Sequence, residues 1–318
     1  MIKYVISLIP CIILMLTSAC TSQPVDKPPE LLGDANRLIS NGVDQYNRAN
    51  YGKAIVLFDQ AMHLYRSIDN PTGIASAYIN LAKTAIAQHD IERAIDLLAQ
   101  THAIVDAEHL DSLNNHLTIT DSSIAIEQHD FARAKSLLEH LLDEADKSIE
   151  PETRLAAMQN RTRIAFAEQV DAQAWTDRYA TLVNDDRPHA QARLARFRAA
   201  LSEHNQQQDA HFQHALDINR KLAWRPGIAA TLSEWAERNI SAQNYHGAQN
   251  KLERALLIRL DLEDNINTAE VLRKLEIVYR HLGEPGKQQR AAYWQSEVAH
   301  KGFYNWDDVM RDFETVQK

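Results

Sequence analysis

Two stretches, Gln88-His89-Asp90-Ile91-Glu92-Arg93-Ala94-Ile95-Asp96-Leu97-Leu98 and Gln128-His129-Asp130-Phe131-Ala132-Arg133-Ala134-Lys135-Ser136-Leu137-Leu138, stand 40 residues apart in the same register. A histidine beside an aspartate invites a metal site or a catalytic pair. A phrase repeated at a fixed interval invites another reading, a turn followed by a helix. The apolar spacing decides between them. After the turn, Ile91, Ala94, Ile95 and Leu98 fall at i, i+3, i+4 and i+7. Before it, Ile74, Tyr78, Leu81, Ala82, Ala85 and Ile86 fall at i, i+4, i+7, i+8, i+11 and i+12. Both patterns place one apolar stripe along a helix. Asp90 and Asp130 share their place with Asn50 and Asn244, all types whose side-chain oxygen satisfies a free backbone N–H at a helix start. The pair therefore predicts a turn and an N-cap. Stacked helical layers also sit about 8–10 Å apart, too far for His89 and His129 to share an ion at ~2.1 Å.

The phrase belongs to a longer period. A marker residue early in each second helix falls at Ala54, Ala94, Ala134, Ala174, Gln208, Ala248 and Gln288, at spacings of 40, 40, 40, 34, 40 and 40. Phe58, Leu98, Leu138 and Leu252 follow it by four residues, and Ala61, Ala215 and Ala255 by seven. A period of this length marks a stacked array of helix–turn–helix units. The expected fold is all-α, a right-handed solenoid of about seven units over residues 32–300. The fourth and fifth units are weak, with Val170-Asp171 and His204-Asn205 where the turn pair should stand. Residues 301–318 hold Trp306, Val309, Met310 and Phe313 at helical spacing behind Asn305, a credible N-cap. This segment reads as a cap over the last unit's open core face or as a docking helix.

These units resemble the tetratricopeptide repeat, in the 40-residue variety seen in kinesin light chains. The last unit supplies Leu272, Leu275, Tyr279 and Gly283, with Gln288 in place of the usual alanine. The first supplies Gly42, Ala54, Phe58 and Ala61, and the sixth Leu232, Ala236, Tyr245, Ala248 and Ala255. The resemblance implies a concave groove lined by the first helices. Carried over by position, its candidates are Ile79, Lys83 and Ile86, then Ile119, Ser123 and Ile126, then Gln159, Arg163 and Phe166. Arg193 and Phe197 follow in the fifth unit, and Arg273, Ile277 and Arg280 in the seventh. Each could equally be core in a long helix. The early candidates are largely apolar and the later ones cationic, which suits a partner segment with a hydrophobic end and an acidic end.

The front of the chain has a different character. Met1-Ile2-Lys3, an apolar run from Tyr4 to Leu16 and Thr17-Ser18-Ala19-Cys20 match a secretory signal. The run is shorter than the roughly 20 residues a bilayer span needs. Leu16-Thr17-Ser18-Ala19-Cys20 resembles a bacterial lipoprotein signal over residues 1–19, with Thr17 where leucine is usual. That resemblance implies an acylated Cys20, a tether over 20–31 containing Pro24, Pro28 and Pro29, and an outer-membrane anchor facing the periplasm. An ordinary cleaved signal and a plain membrane anchor are the other readings. Cys11 and Cys20 are the chain's two cysteines, so cleavage leaves one at the place acylation needs it.

Composition narrows the chemistry. A net charge of −9 argues against nucleic acid, whose phosphates want a basic surface. Fourteen histidines occur without a His-Glu-x-x-His pair or a phosphate-binding glycine loop, so neither cofactor nor metal is expected, nor catalysis. Residues 154–198 are locally basic, with Arg154, Arg161, Arg163, Arg178, Arg187, Arg193, Arg196 and Arg198 against five acids. That is either a solvated helix face or a patch for an acidic peptide, lipid headgroup or carboxylated glycan. Together these features suggest a lipid-anchored, non-catalytic adaptor for envelope proteins. The alternative is a sensor that binds a peptide or glycan in the same groove.

Overall fold

The computed structural model describes residues 30–143, 148–301 and 306–314; the signal, Cys20 and most of the tether fall outside them. Over these described residues the chain is an all-α solenoid of seven helix pairs and a closing helix. The first three pairs are α1 (Glu30–Asn47) with α2 (Tyr51–Ser67), α3 (Pro71–Ala87) with α4 (Ile91–Glu108), and α5 (Asn114–Glu127) with α6 (Phe131–Leu138). The middle pairs are α7 (Pro151–Glu168) with α8 (Ala172–Ala180) and α9 (Pro188–Leu201) with α10 (Asn205–Lys221). The last are α11 (Arg225–Ser241) with α12 (Tyr245–Asp261) and α13 (Asn265–Leu282) with α14 (Pro285–Lys301), before α15 (Trp306–Glu314). Helix α1 begins at Glu30, two residues inside the expected tether.

The repeated turn closes through the backbone. His89, His129, Ala49 and Gln243 adopt left-handed conformations with φ near +60°, as Gly283 does at +72°. This lets the next N–H reach back five residues: Asp90 N donates to Ala85 O at 2.9 Å, and Asp130 N to Ala125 O at 2.8 Å, satisfying carbonyls freed at the helix end. Glycine would suit this position best, and the last unit alone has it among these five. Asp90 Oδ1 then accepts from Arg93 N at 3.2 Å and Asp130 Oδ1 from Arg133 N at 3.1 Å. The Gln-His-Asp phrase is a left-handed turn and a cap.

Small residues at the marker let paired helices approach. Ala54, Ala94, Ala134 and Ala248 are fully buried. At Gly42 the approach is close, because a Cβ there would lie 2.4 Å from the Phe58 ring.

The middle departs from the expected register. Ala174 is exposed, and Thr176 is the small residue that α8 buries. Two left-handed residues, Gln169 and Asp171, separate α7 from α8, and α8 is nine residues long where α4 has eighteen. That shortening accounts for the 34-residue interval. Helix α6 is also short, giving way to a 3₁₀ turn over His140–Leu142, although the spacing there is regular. Gln208 holds a marker position for a local reason: its amide donates to Ala199 O at 3.2 Å and Ser202 O at 3.4 Å. It satisfies carbonyls at the end of α9, where no left-handed residue turns the chain.

Helix α15 covers the end. Val309 is fully buried in the cluster that contains Trp294 and Val298. Trp294 Nε1 donates to Asp312 Oδ2 at 2.9 Å, and Arg290 Nη1 to Asp312 O at 3.1 Å.

Candidate functional site

The solenoid curves far enough for its two ends to meet. Arg225 Nη2, at the start of α11, donates to Asn50 Oδ1 at 3.0 Å and Arg48 O at 3.3 Å. Arg225 is also paired with Asp261. Asn267 Nδ2, on α13, donates to His89 Nε2 at 2.9 Å. Asn267 Nδ2 also reaches both Asp264 oxygens at 3.0 Å, and Asp264 pairs with Arg259 at 2.5 Å. These contacts join residues more than 170 positions apart. They correct one expectation: Asn50 makes no side-chain cap, because its oxygen faces Arg225 instead. The first helices therefore enclose a lumen rather than line an open trough. Ile86, Glu127, Arg196, Arg259 and Asn267, from five different units, surround one cavity of about 250 Å³.

The groove candidates separate into three groups. Ile79 and Ile126 are 4 % and 7 % exposed and sit in core clusters. Ile119 packs against the same cluster as Ile126. Ser123 Oγ donates to Ile119 O at 2.9 Å and accepts from Asn160 Nδ2 at 3.0 Å, tying α5 to α7. Arg273 and Arg280 are each paired within α13, to Glu270 and Glu276, and Ile277 is half-buried between them in sequence. Among the described residues no contact links this trio to the cationic candidates.

The remaining candidates include a connected group. Phe166 of α7 stacks on Phe197 of α9, with ring centroids 5.2 Å apart. Arg163, three residues before Phe166, pairs with Glu127 at 2.8 Å. Arg193, one helical turn before Phe197, shares its face of α9. Lys83 is half-buried on α3, where burial pushes its amine down, and Gln159 is half-buried on α7.

Three further residues join this group that the repeat register did not nominate. Arg196 pairs with Glu234; burial opposes its charge, but the glutamate more than offsets that and the guanidinium is shifted up. Tyr179 of α8 meets Phe197 edge-on at 5.7 Å. It is fully buried, and its hydroxyl has no hydrogen-bond partner among the described residues. Tyr46 lies in the last turn of α1, where the charge of Arg193 acts on it. Burial pushes both phenols up, and Arg193 opposes the shift in each. Arg193 itself is pushed down to about 10, chiefly by burial and then by Arg196 and Arg163, with Tyr179 and Tyr46 acting the other way. A nearby tyrosine at the end of α1 was visible in the sequence; its approach to α9 depends on the curvature of the whole array.

Among the described residues, no group of three or more His, Cys, Asp and Glu side chains could hold a metal ion. No described helix is long and apolar enough to cross a membrane.

No family model matches the chain, and no curated protein does. Among solved structures it is similar to the crystal structure of BtubC (BKLC) from P. vanneervenii. The two are 12 % identical with a TM-score of 0.42, over 87 % of this chain and 94 % of that one. A likeness this distant carries no function across.

Proposed function

We propose that this chain is a lipid-anchored, non-catalytic, tetratricopeptide-like adaptor of the bacterial envelope. It is held at the outer membrane by Cys20 and binds an acidic segment of a partner protein along its inner face. The observation that carries the reading is the charge balance of that face. Arg163 and Arg196 have glutamate partners, whereas the four groups that act on Arg193, which are Tyr179, Arg196, Arg163 and Tyr46, include no carboxylate. The enclosure favours an extended peptide over a folded domain, because helices from opposite ends of the array approach across the lumen.

The test is chemical crosslinking in intact membranes. One envelope protein should be captured reproducibly by the wild type, and the Arg163→Glu, Arg193→Glu double variant should lose it. Unchanged capture removes the inner face from the function. Cys20→Ala should release the protein from the membrane fraction; retention there defeats the lipid anchor.

A second reading draws on the contact between His89 and Asn267. A peptide or glycan entering the lumen would press on this seam and change the curvature, making the protein a sensor. Recovery of short peptides or glycans, with no folded partner, supports that reading.

A further inference from the structure

Among the described residues, two hydrogen-bonded side-chain bridges of different chemistry join the ends of the array. Arg225 reaches Asn50 and the Arg48 carbonyl, and a guanidinium keeps its charge in a folded protein. The other bridge runs through an imidazole, the side chain whose charge changes between about pH 5 and 8. His89 belongs to the turn before α4, and its Nε2 lies 2.9 Å from Asn267 Nδ2 on α13. Asp264 fixes which way that amide points. Asn267 Nδ2 is 3.0 Å from both carboxylate oxygens, and a carboxylate accepts from the amide nitrogen but repels the amide oxygen. His89 Nε2 is therefore the acceptor, which requires a neutral ring with its proton on Nδ1.

A proton on Nε2 removes that acceptor and sets one N–H against another. The nearest alternative is Asp264 Oδ1, 4.0 Å away, and that carboxylate is occupied. Its Oδ1 accepts from Asn267 N at 3.2 Å and its Oδ2 from Arg259 Nη1 at 2.5 Å. A charged His89 would have to displace the cap of α13 and approach the Arg259 cation. The other charged or titratable groups around the shared cavity are Tyr51, Glu127 and Arg196. Arg163 holds Glu127, and Glu234 holds Arg196. On the histidine's own turn, Asp90 caps α4 through Arg93 N. Each carboxylate around the cavity thus has a cation already. The His89 side chain is 26 % exposed, so solvent protons reach it.

We infer that His89 and Asn267 form a pH-sensitive latch, closed at neutral pH and released when protonation turns His89 Nε2 from acceptor to donor. Release leaves Arg225 as the hydrogen-bonded bridge across the seam and opens the lumen beside the α3–α4 turn. The latch belongs to the closed array and operates whatever the inner face binds.

Spin labels at Lys53 and Ile266, which line the cleft between the two ends, read the seam at about pH 7.5 and about pH 5. The full chain is used, with Cys11 and Cys20 replaced. The ratio of long to short distances should rise about fivefold at the lower pH, the weight of one hydrogen bond. Arg225→Ala removes the bridge that does not titrate and should show a larger open population with the same response. His89→Gln should abolish the response. Glutamine fits this left-handed turn, as Gln243 does at the equivalent place, and its amide oxygen accepts from Asn267 at either pH. Nitrogen NMR of histidine-labelled protein should find the neutral His89 ring protonated on Nδ1. Four results overturn the latch: equal closure at both pH values in wild type and Arg225→Ala, a shorter distance in acid, a response that survives His89→Gln, or a neutral ring protonated on Nε2.

Discussion

The pair α3–α4 ends its first helix on one left-handed residue, His89, and starts its second with a side-chain cap from Asp90. The pair α7–α8 does the same task with two left-handed residues, Gln169 and Asp171, and without a side-chain cap. Helix α4 then runs eighteen residues and α8 nine. The regular pairs at the ends turn alike and stack alike, and their accumulated curvature brings Asn50 to Arg225 and His89 to Asn267. The short α8 ends beside Val183 and Leu182 and leaves Tyr179 against Phe197. Regularity builds the enclosure, and irregularity leaves a buried hydroxyl, that of Tyr179, without a partner among the described residues.

The strongest test of the regular region is the close helix approach at Gly42. Gly42→Ala forces a methyl group into the Phe58 ring and should cost about 1–3 kcal/mol. Gly52→Ala meets nothing within 4 Å and should leave stability unchanged or slightly raised. Urea denaturation compares the two, and equal effects would show that the first pair is looser than described.

The caps give the next largest contrast. Asp130→Ala removes a hydrogen bond to Arg133 N and should cost about 1 kcal/mol. Asp171 makes no such bond, and Asp171→Asn keeps a residue that tolerates the left-handed conformation. Its denaturation midpoint should stay within a few tenths of a kcal/mol of wild type. A full cap loss at Asp171 would erase the distinction between the two kinds of turn.

The two histidines of the repeated phrase sharpen the comparison further. Both occupy left-handed backbone, so His129→Gly should stabilise the chain by up to about 1 kcal/mol. His89→Gly should gain less, because it also surrenders the bond from Asn267. An equal gain at both positions would mean that the seam contributes nothing.

The smallest effect is on pH dependence. Burial holds His189 and His116 below the usual histidine range, with Arg193 adding to the first and Lys83 to the second. The unfolded chain takes up these protons first as pH falls through about 6.5, so it binds more protons than the fold and stability drops below that point. His189→Gln should lose less stability than wild type between neutral and mildly acid pH, measured by thermal denaturation at fixed pH steps.

Much of the fold was legible because each unit writes its own turn, cap and apolar stripe locally. Asp90, Asp130 and Asn244 all cap as their residue types demand. The register failed at Ala174, where a second left-handed residue shifted the phase and Thr176 took the buried place. It failed at Asn50 for another reason, since Arg225 arrives there from 175 residues away. The candidate site was legible in part. Arg163, Phe166, Arg193 and Phe197 do come together, through the Phe166–Phe197 stack and the field of Arg193. Tyr179 was hidden by the misphased unit. Tyr46 was hidden because its approach depends on small rotations summed over several layers, which no local spacing encodes.

Enclosure of the lumen is most directly tested by the distance across the seam. Spin labels at Lys53 and Ile266, both lining the cleft where the two ends meet, report it in a chain with Cys11 and Cys20 replaced. A short, narrow distance distribution in solution is expected. A long or broad distribution would mean that the ends stand apart and that the inner face is an open trough.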